Sequence, residues 1–411
     1  MTLVEFFEKT AIENICASLI DMPDRIVFIG NKSMEKHIAR YEEILASKGL
    51  EKTETIKKFV SNSRLDNAVK ILSEIVETYD DCVFDITGGE EILNVALGIV
   101  CEKYPLKDIQ IQKINIKDNV IYFCDKNGVT TQKGNPSLSI EQNVKLYGGK
   151  VLFGGINQDD TYRWDLTPDF LNDFEKMWKI CKGNFGYWNL QIGLLKTINE
   201  NGVVSCDQLT VTISQGALEN ALKKEGRKFN KTKGIINALC AEGLITNFDD
   251  SDDITITYKN EQVKRCLSQE GQILEMKIYI TAKNLSEDDG VRPVYEDALN
   301  GVVIDWDGKN EPFDTENEID VMLMHDIVPV FISCKNGDFS AEELYKLNTV
   351  AERFGGKYAK KVLVTTAIDN MRDKGKYLTT RANDMRIQLI KENDILDDAK
   401  LSKRLKTLWE F

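Results

Sequence analysis

The chain has 411 residues, 42% of them hydrophobic, and a formal net charge of −13. This length exceeds one ordinary core of roughly 100–200 residues, so we expect two or three domains. The apolar content excludes a disordered chain, and the negative charge excludes a protein that coats nucleic acid through bulk electrostatics. Only two histidines, His37 and His325, are present, so carboxylates, lysine and metal must carry any chemistry.

Nothing in the sequence indicates a membrane segment or an export signal. The longest apolar runs, such as residues 328–332, are far shorter than the roughly 20 residues that span a bilayer. The first residues contain no basic segment followed by an apolar stretch. Nine scattered cysteines without a Cys-x-x-Cys motif are typical of reduced thiols. We therefore expect a cytoplasmic protein that has no membrane partner and no zinc site.

The first 130 or so residues alternate strand-like and helix-like patterns. The predicted strands cover residues 3–7, 25–30, 54–60, 81–86, 109–116 and 120–124. The predicted helices cover residues 11–20, 33–48, 66–79 and 90–103. This alternation predicts an α/β fold with a parallel sheet and helices on both faces.

The middle of the chain changes character. Residues 131–185 are predicted to be an irregular connection with short strands, because the Gly148-Gly149 and Gly154-Gly155 pairs interrupt it. Helices at residues 188–200, 215–224 and 231–242, followed by alternating residues 254–258, then predict a winged-helix-like segment. A local basic cluster favours nucleic-acid binding, and a spacer or dimerisation element is an equal alternative. The cluster consists of Lys223, Lys224, Arg227, Lys228, Lys231 and Lys233.

Polar and glycine residues follow three predicted strands of the N-terminal unit. They are Gly30, Asn31, Lys32 and Ser33, then Ser61, Asn62 and Ser63, and then Thr87, Gly88, Gly89 and Glu90. In doubly wound sheets ligands bind outside the carboxyl ends of the strands, and a Gly-Gly turn that opens a helix suits a phosphate. The pattern therefore predicts a site for a phosphate-rich ligand, with tight structural turns as the alternative. No P-loop motif is present.

From residue 268 the pattern indicates a second α/β unit with charges inside apolar strands. Asp320 lies in a strand predicted at residues 318–324, and Ser333 and Lys335 lie at the end of the next strand. If these strands are neighbours, Asp320 and the backbone beside Ser333 could hold a divalent cation. Lys335 would then orient or deprotonate a water and offset charge on a scissile phosphate. Glu275, on a helix predicted at residues 268–285, could complete the site.

These residues resemble known families. Glu275, Asn317 to Asp320 and Ser333 to Lys335 resemble the PD-(D/E)-x-K nuclease superfamily, whose domain is restriction-endonuclease-like. Asp85 to Gly89 resembles the CARF (CRISPR-associated Rossmann-fold) domain. Their combination resembles the cyclic-oligoadenylate-activated CARF–nuclease effectors of type III CRISPR defence. The expected domains are a CARF domain at 1–150, a linker and winged-helix-like segment at 151–267, and a nuclease domain at 268–411.

The resemblance implies a homodimer whose two CARF domains share one cyclic oligoadenylate, most often the tetra-adenylate. It implies that the polar residues after the three strands line the ligand cleft and that the nuclease uses Mn²⁺ or Mg²⁺. Glu275, Asp320, Ser333 and Lys335 would form the catalytic site, with Asp320, Glu275 and Glu318 as metal ligands. The superfamily has an acid where this chain has Ser333, so metal binding could instead depend on Glu318, Glu342 or Glu343.

We therefore expect a ligand-activated, metal-dependent endonuclease that cuts DNA or RNA, preferably single-stranded, in antiviral defence. One alternative is a cyclic-oligoadenylate-responsive transcription regulator with an inert nuclease-like domain. Another is that the sensor domain degrades its own activator. The sequence does not decide among DNA, RNA and these alternatives.

Overall fold

The computed structural model describes residues 1–61, 64–107, 109–125, 128–134, 136–154, 160–227, 233–251, 253–288, 290–309 and 316–410. Three sheets of seven, four and six strands organise these residues. Within the same ranges no helix has both the length and the apolar character needed to cross a membrane.

The N-terminal unit alternates strands and helices. Its elements are β1 (Thr2–Phe6), α1 (Cys16–Asp21), β2 (Arg25–Gly30), α2 (Glu35–Leu45), β3 (Glu54–Phe59), α3 (Leu65–Thr78), β4 (Cys82–Asp85), α4 (Glu91–Lys103), β5 (Gln110–Asn115), β6 (Val120–Asp125) and β7 (Gly128–Lys133). The sheet order is β3-β2-β1-β4-β5-β6-β7, with β1 to β5 parallel and the last two strands antiparallel. The predicted parallel α/β sheet is thus confirmed.

Helices cover both faces of this sheet because its strands bury apolar side chains on both sides. Val4 and Phe84 pack in one cluster with α3 and α4, whereas Leu3 and Ile26 pack with α2 on the other face. The strand order reverses direction between β1 and β4, since β2 and β3 lie to one side of β1 and β4 to the other. A reversal of this kind opens a crevice at the carboxyl ends of the two strands.

The middle unit contains more regular structure than predicted. Its elements are α5 (Ile140–Leu146), β8 (Lys150–Val151), α6 (Pro168–Gly183), α7 (Phe185–Asn201), β9 (Val203–Val204), β10 (Thr210–Ser214), α8 (Gln215–Lys224), α9 (Gly234–Ala241), β11 (Ile245–Asp249), β12 (Asp253–Tyr258) and α10 (Glu261–Cys266). The succession α7, β10, α8, α9, β11 and β12 is the helix and strand order of a winged helix, as predicted.

The prediction that residues 131–185 form an irregular connection is wrong, although the short strand predicted at residues 150–153 is present as β8. The segment contains α5 and the 16-residue helix α6. Thr167 caps α6 by accepting a hydrogen bond from the Phe170 amide at 3.3 Å. Phe174, Met177 and Trp178 are buried at helical spacing along it. These residues carry a helix signal that the glycine pairs at 148–149 and 154–155 obscure.

The C-terminal unit is built on a mixed sheet. Its elements are α11 (Gln272–Lys283), β13 (Asp297–Asp305), β14 (Glu316–His325), β15 (Val328–Lys335), α12 (Ala341–Gly355), β16 (Lys360–Thr365), α13 (Arg372–Asp384), β17 (Ile387–Lys391), α14 (Glu392–Ile395) and α15 (Asp398–Lys406). The sheet order is β17-β16-β15-β14-β13-β8, in which β13, β14 and β15 are antiparallel neighbours. The domain boundary predicted at residue 150 therefore falls on a strand of this sheet.

An apolar core joins the N-terminal and C-terminal units. Phe28 of the first sheet, Val144 of α5, and Phe331 and Leu363 of the third sheet belong to one buried cluster. A polar contact reinforces this junction, because the side-chain amide of Asn119 donates to the Asp326 carboxylate at 2.9 Å. The two units therefore meet through packed surfaces rather than through a linker alone.

A substitution at Gly89 tests the packing beside β1, where the strand order reverses. Its φ is +94°, and a Cβ there would lie 2.4 Å from the Phe6 Cβ. We expect Gly89→Ala to lower the free energy of unfolding by more than about 1 kcal/mol, from strain and clash together. Gly98, exposed within α4 with open space around it, is the matched control, and Gly98→Ala should stabilise by up to about 1 kcal/mol. Equal unfolding midpoints in urea for the two variants would contradict this packing.

Candidate active site and ligand crevice

The β14–β15 pair brings three of the four predicted catalytic residues together. Asp320 lies on β14, and Ser333 and Lys335 lie on β15. The Lys335 Nζ is 3.7 Å from Asp320 Oδ2. Both side chains are partly buried, with exposed fractions of 27% and 16%. The two charged groups that the sequence singled out therefore converge on one point.

Asp320 is held by donors from the neighbouring strand. Its Oδ2 accepts hydrogen bonds from the Cys334 amide at 2.5 Å and from the Ser333 hydroxyl at 3.2 Å. Burial raises the pKa of Asp320, and Lys335 together with these two donors only partly opposes that rise. Ser333 thus acts on Asp320 as a neutral donor and brings no second negative charge.

Lys335 lies between two carboxylates. Besides Asp320 it contacts Glu343 of α12, with 3.1 Å between Nζ and Oε2. Burial alone would lower the pKa of Lys335, but Asp320 and Glu343 raise it above its ordinary value. The amine therefore stays protonated at neutral pH. This favours a role as a fixed cation over the alternative role as a base that deprotonates water.

The sequence offered Glu318, Glu342 and Glu343 as acids that could compensate for Ser333. Of the two on α12, Glu343 is the one that contacts the site. Burial alone would raise its pKa, but Lys335 and Lys346 hold the pKa below its ordinary value, so it is ionised. Glu342 is exposed, and its backbone amide donates to the Ser340 hydroxyl at 3.3 Å. The only sequence signal for Glu343 was its place three residues after the cap residue Ser340, in the first turn of α12.

Glu275 lies behind Asp320 in a network of amide side chains. Its Oε2 accepts from Asn300 Nδ2 and from Gln272 Nε2, each at 3.4 Å. Asn300 Nδ2 also donates to the Asp320 carbonyl at 2.9 Å. Burial raises the pKa of Glu275 well above its ordinary value, and Asp320 and Glu318 raise it further. Burial and the neighbouring acids therefore favour the protonated form of Glu275.

Three residues that sequence reasoning missed support this network. Asn300 Oδ1 accepts from Gln272 Nε2 at 2.8 Å and from Trp164 Nε1 at 3.0 Å. Trp164, Gln272 and Asn300 also line a cavity of about 240 Å³ that reaches Glu318. Trp164 precedes α6, Gln272 lies on α11 and Asn300 on β13, so no local motif could have identified them.

The carboxylates of this site suit a hard divalent cation, because Mg²⁺ and Mn²⁺ prefer oxygen ligands. Glu318 lies two residues before Asp320 on β14, and side chains at this spacing share one face of a strand. Mutual repulsion among Asp320, Glu275 and Glu318 is the kind of strain that a bound cation relieves. In the part of the chain that the structure describes, no three acidic, cysteine or histidine groups are already arranged around an ion position.

The ligand residues predicted after β2 have structural partners. A Cβ at Gly30 would lie 2.7 Å from the Phe7 Cβ, so glycine allows the loop after β1 to approach. Asn31 Oδ1 accepts from the Ser33 amide at 2.8 Å and caps the next turn. Lys32 and Ser33 are exposed beside it. Their role in ligand binding stays a prediction.

The residues after β4 are tied to neighbouring strands. Asp85 Oδ1 accepts from the Thr87 amide at 2.7 Å, and burial raises the pKa of Asp85 to about 6. Thr87 Oγ1 accepts from the Ile114 amide at 2.7 Å. A Cβ at Gly88 would lie 2.7 Å from the Glu8 Cβ. These contacts support the alternative that Thr87 and Gly88 form a structural turn. Glu90, which follows this turn, is exposed.

The third predicted segment is only partly described. The Ser61 amide donates to Asn67 Oδ1 at 3.1 Å. Asn62 and Ser63 lie outside the described residues, as do Lys228 and Lys231 of the basic cluster. The sequence reasoning missed the loop at residues 7–10, which follows β1 at the same edge of the sheet. This loop follows β1, where the strand order reverses. The order of the strands cannot be deduced from the sequence, so the loop was not identified.

Comparison with known proteins finds a family likeness in the C-terminal part of the chain. Residues 260–407 match the family described as "Card1-like, endonuclease domain". The C-terminal unit matches the Card1-like endonuclease domain. Among curated proteins, none matches the chain in sequence.

Two solved structures share the fold over nearly the whole chain. Protein VC1899 from Vibrio cholerae has a TM-score of 0.75 at 16% identity, covering 99% of this chain and 98% of its own. Can2 from Sulfobacillus thermosulfidooxidans, in complex with cyclic tetra-adenylate, has a TM-score of 0.67 at 16% identity, covering 100% and 97%. At this identity the likeness establishes the fold alone. The Card1-like unit is thus part of an arrangement that other proteins share.

The buried acid of the Card1-like unit predicts a pH dependence of stability. The pKa of Glu275 is raised in the folded protein. The free energy of unfolding therefore falls as the pH rises from the ordinary pKa of a glutamate towards the raised pKa. We expect Glu275→Gln to unfold at a higher temperature than the wild type near pH 8, with the difference vanishing below about pH 4. The exposed Glu342→Gln is the control and should show no such trend. A difference for Glu275→Gln that does not change with pH would contradict the protonated state.

Proposed function

We propose that this protein is a metal-dependent endonuclease that a cyclic oligoadenylate activates, and that it acts in antiviral type III CRISPR defence in the cytoplasm. The Card1-like endonuclease match supports the nuclease activity, and the likeness to Can2 supports a cyclic tetra-adenylate as activator. The observation that carries the proposal is the convergence of Asp320 of β14, Lys335 of β15 and Glu343 of α12.

The chemistry follows from the charge of each group. A bound Mn²⁺ or Mg²⁺, held by Asp320, Glu318 and Glu275, would supply Lewis acidity at the scissile phosphate. Lys335, protonated at neutral pH, offsets the negative charge that grows on the phosphoryl oxygens during in-line attack. Glu343 keeps Lys335 at the mouth of the site.

Ser333 orients Asp320 rather than replacing the acid that the superfamily has at its position. Its hydroxyl donates to Asp320 Oδ2, so it fixes the carboxylate that would bind the ion. Cleavage of DNA or RNA, with single strands preferred, is the activity that we propose for this arrangement. A site with one acid fewer than the superfamily pattern predicts weaker metal binding.

The activator would bind at the carboxyl ends of β1 to β4, between two copies of the N-terminal unit. The crevice at the strand-order reversal is where doubly wound sheets bind ligands. Exposed residues at this edge, including Lys32, Ser33, Ser61 and Glu90, face outward from the sheet end. A homodimer that shares one cyclic ligand would let both N-terminal units respond to a single binding event.

The β14–β15 hairpin offers a route from the sensor to the catalytic residues. Its turn contains Asp326, which accepts from Asn119 Nδ2 at 2.9 Å, and whose carbonyl accepts from the Leu138 amide at 3.0 Å. Its other end carries Asp320 and Lys335. A shift of the sensor turn at Asn119 would therefore move the same hairpin that holds the catalytic pair.

Removal of the motif lysine tests the active site. We expect Lys335→Ala to reduce cleavage at least about a hundredfold, because the positive charge beside the scissile phosphate is lost. Binding of cyclic tetra-adenylate should persist. Lys346 also contacts Glu343, at 3.3 Å, but is mostly exposed, so Lys346→Ala is the matched control and should retain activity. Full cleavage by Lys335→Ala in the presence of Mn²⁺ would refute the site assignment.

Removal of the sensor contact tests the coupling. Asn119 has a φ of +51°, so Asn119→Gly deletes the side-chain amide without backbone strain. We expect the variant to bind activator normally but to show activator-stimulated cleavage on the order of tenfold lower. Asn94→Ala, at an exposed position on α4, is the control. Undiminished stimulation of Asn119→Gly, measured as the cleavage ratio with and without activator, would show that the hairpin does not transmit the signal.

A ligand-responsive transcription regulator is the second candidate, favoured by Ser333 in place of an acid and by the winged-helix order of the middle unit. Two cations of the basic cluster have acidic partners, since Arg227 pairs with Glu270 at 2.5 Å and Lys233 pairs with Asp250. A sequence-dependent gel shift of uncut duplex DNA would support the regulator. Metal-dependent degradation would support the nuclease.

A further inference from the structure

A large cavity lies where β16 and β17 begin, and none of the polar residues that follow β2, β3 and β4 lines it. Its volume is about 1220 Å³, and its walls come from α12, α15, the starts of the two strands and the β5–β6 turn of the N-terminal unit. Six of its lining side chains are cationic and two, Glu352 and Asp384, are acidic. The cations are Lys117, Lys357, Lys360, Lys361, Arg386 and Arg404. In a chain with a net charge of −13, this is a marked local excess of positive charge.

Several of these cations repel one another. Burial lowers the pKa of Lys360, and the nearby Lys117 lowers it further. Burial also lowers the pKa of Lys361, where Arg386 adds to the effect and Glu352, 3.9 Å away, opposes it. A bound anion would relieve this repulsion, because it favours the charged form of each amine.

Not every cation of the cavity is equally available to a ligand. Lys357 already contacts Glu13 at 2.7 Å, and Arg404 donates to the Leu389 carbonyl at 2.8 Å. Lys117 and Arg386 are exposed and come from different units. These two residues are therefore the best positions at which to test the cavity.

The size and lining of the cavity indicate a polyanion. Small-molecule pockets usually hold about 300–1000 Å³, so this cavity exceeds the space that one mononucleotide needs. Its walls carry cations and the amides of Asn348, Asn383 and Gln388 rather than a continuous apolar surface. Cations and amides of this kind contact phosphates and sugars of nucleic acids without reading their sequence.

Strand β16 connects the cavity to the strand that carries Lys335. Strand β16 begins at Lys360 in the cavity and ends at Thr365, which pairs with Lys335 of β15. Five residues of an extended strand span about 16 Å. The cavity and Lys335 therefore lie towards opposite ends of β16, and a substrate strand that contacts both must pass around the sheet.

We propose that this cavity binds the phosphodiester backbone of the substrate strand on one side of the cleaved bond. The inference rests on the proposed nuclease function and adds the surface that holds the substrate. Because Lys117 belongs to the N-terminal unit, the arrangement of the two units determines whether the surface is complete. Activation by the sensor would then control substrate affinity as well as the catalytic pair.

The test measures binding apart from cleavage. A labelled single-stranded oligonucleotide is titrated with protein at several salt concentrations, with metal chelated. The double variant Lys117→Gln/Arg386→Asn neutralises both exposed cations, and asparagine tolerates the φ of +56° at Arg386. We expect affinity to fall on the order of tenfold. The plot of log affinity against log salt should become shallower by about 0.7 for each phosphate that the variant no longer neutralises.

The control removes the same charge elsewhere. Lys179 and Lys182 are exposed on α6, so Lys179→Gln/Lys182→Asn should bind with wild-type affinity and slope. If the cavity variant binds like this control while the wild type still cuts nucleic acid, the cavity proposal is wrong and the nuclease proposal stands. If the wild type neither binds nor cuts, the proposed function itself fails.

A second arm distinguishes substrate from activator, since both carry phosphodiester groups. Labelled cyclic tetra-adenylate is titrated into the same variants. We expect the cavity variant to bind it as the wild type does. Loss of cyclic tetra-adenylate binding with unchanged oligonucleotide binding would assign the cavity to the activator and overturn the proposal.

Discussion

The antiparallel pairing of β14 with β15 is the interaction on which the catalytic proposal depends. It places the backbone amide of Cys334 and the hydroxyl of Ser333 against one oxygen of Asp320. The same register brings the amine of Lys335 to 3.7 Å from that oxygen. A register shift of one residue would turn these side chains to the opposite face of the sheet. Strand pairing, rather than any single side chain, therefore creates the site.

The charges around this hairpin form a balanced group. Lys335 is shared by Asp320 and Glu343, while burial beside other acids favours the protonated form of Glu275 behind them. Entry of a divalent cation would favour release of that proton, since metal ligands bind in their ionised form. Metal affinity should therefore increase with pH.

Much of this arrangement could be predicted from local patterns. Alternating strands and helices indicated the N-terminal sheet, and charges within apolar strands indicated that Asp320 and Lys335 converge. Other parts depend on long-range pairing. The edge strand at Lys150–Val151 joins a sheet whose other strands begin at Asp297. The short strand itself was predicted from the sequence, but neither its partner strand nor the order of the strands could be inferred without the fold.

The supporting residues of the site were hidden for the same reason. Trp164, Gln272 and Asn300 meet only because α11 and β13 pack against the segment that precedes α6. The choice between Glu342 and Glu343 depended on how α12 is rotated, which a single helical turn does not reveal. The helix α6 is different, because its Thr167-Pro168 start and its apolar spacing were visible in the sequence. Glycine pairs upstream outweighed that signal.

The most direct measurement is a cleavage assay on purified protein with labelled single-stranded and duplex DNA and RNA. Each substrate is incubated with Mn²⁺ alone, with cyclic tetra-adenylate alone and with both. The account predicts fragments only when both are present, and more from single strands than from duplexes. Intact substrates in every combination, with duplex DNA shifted but uncut, would contradict it.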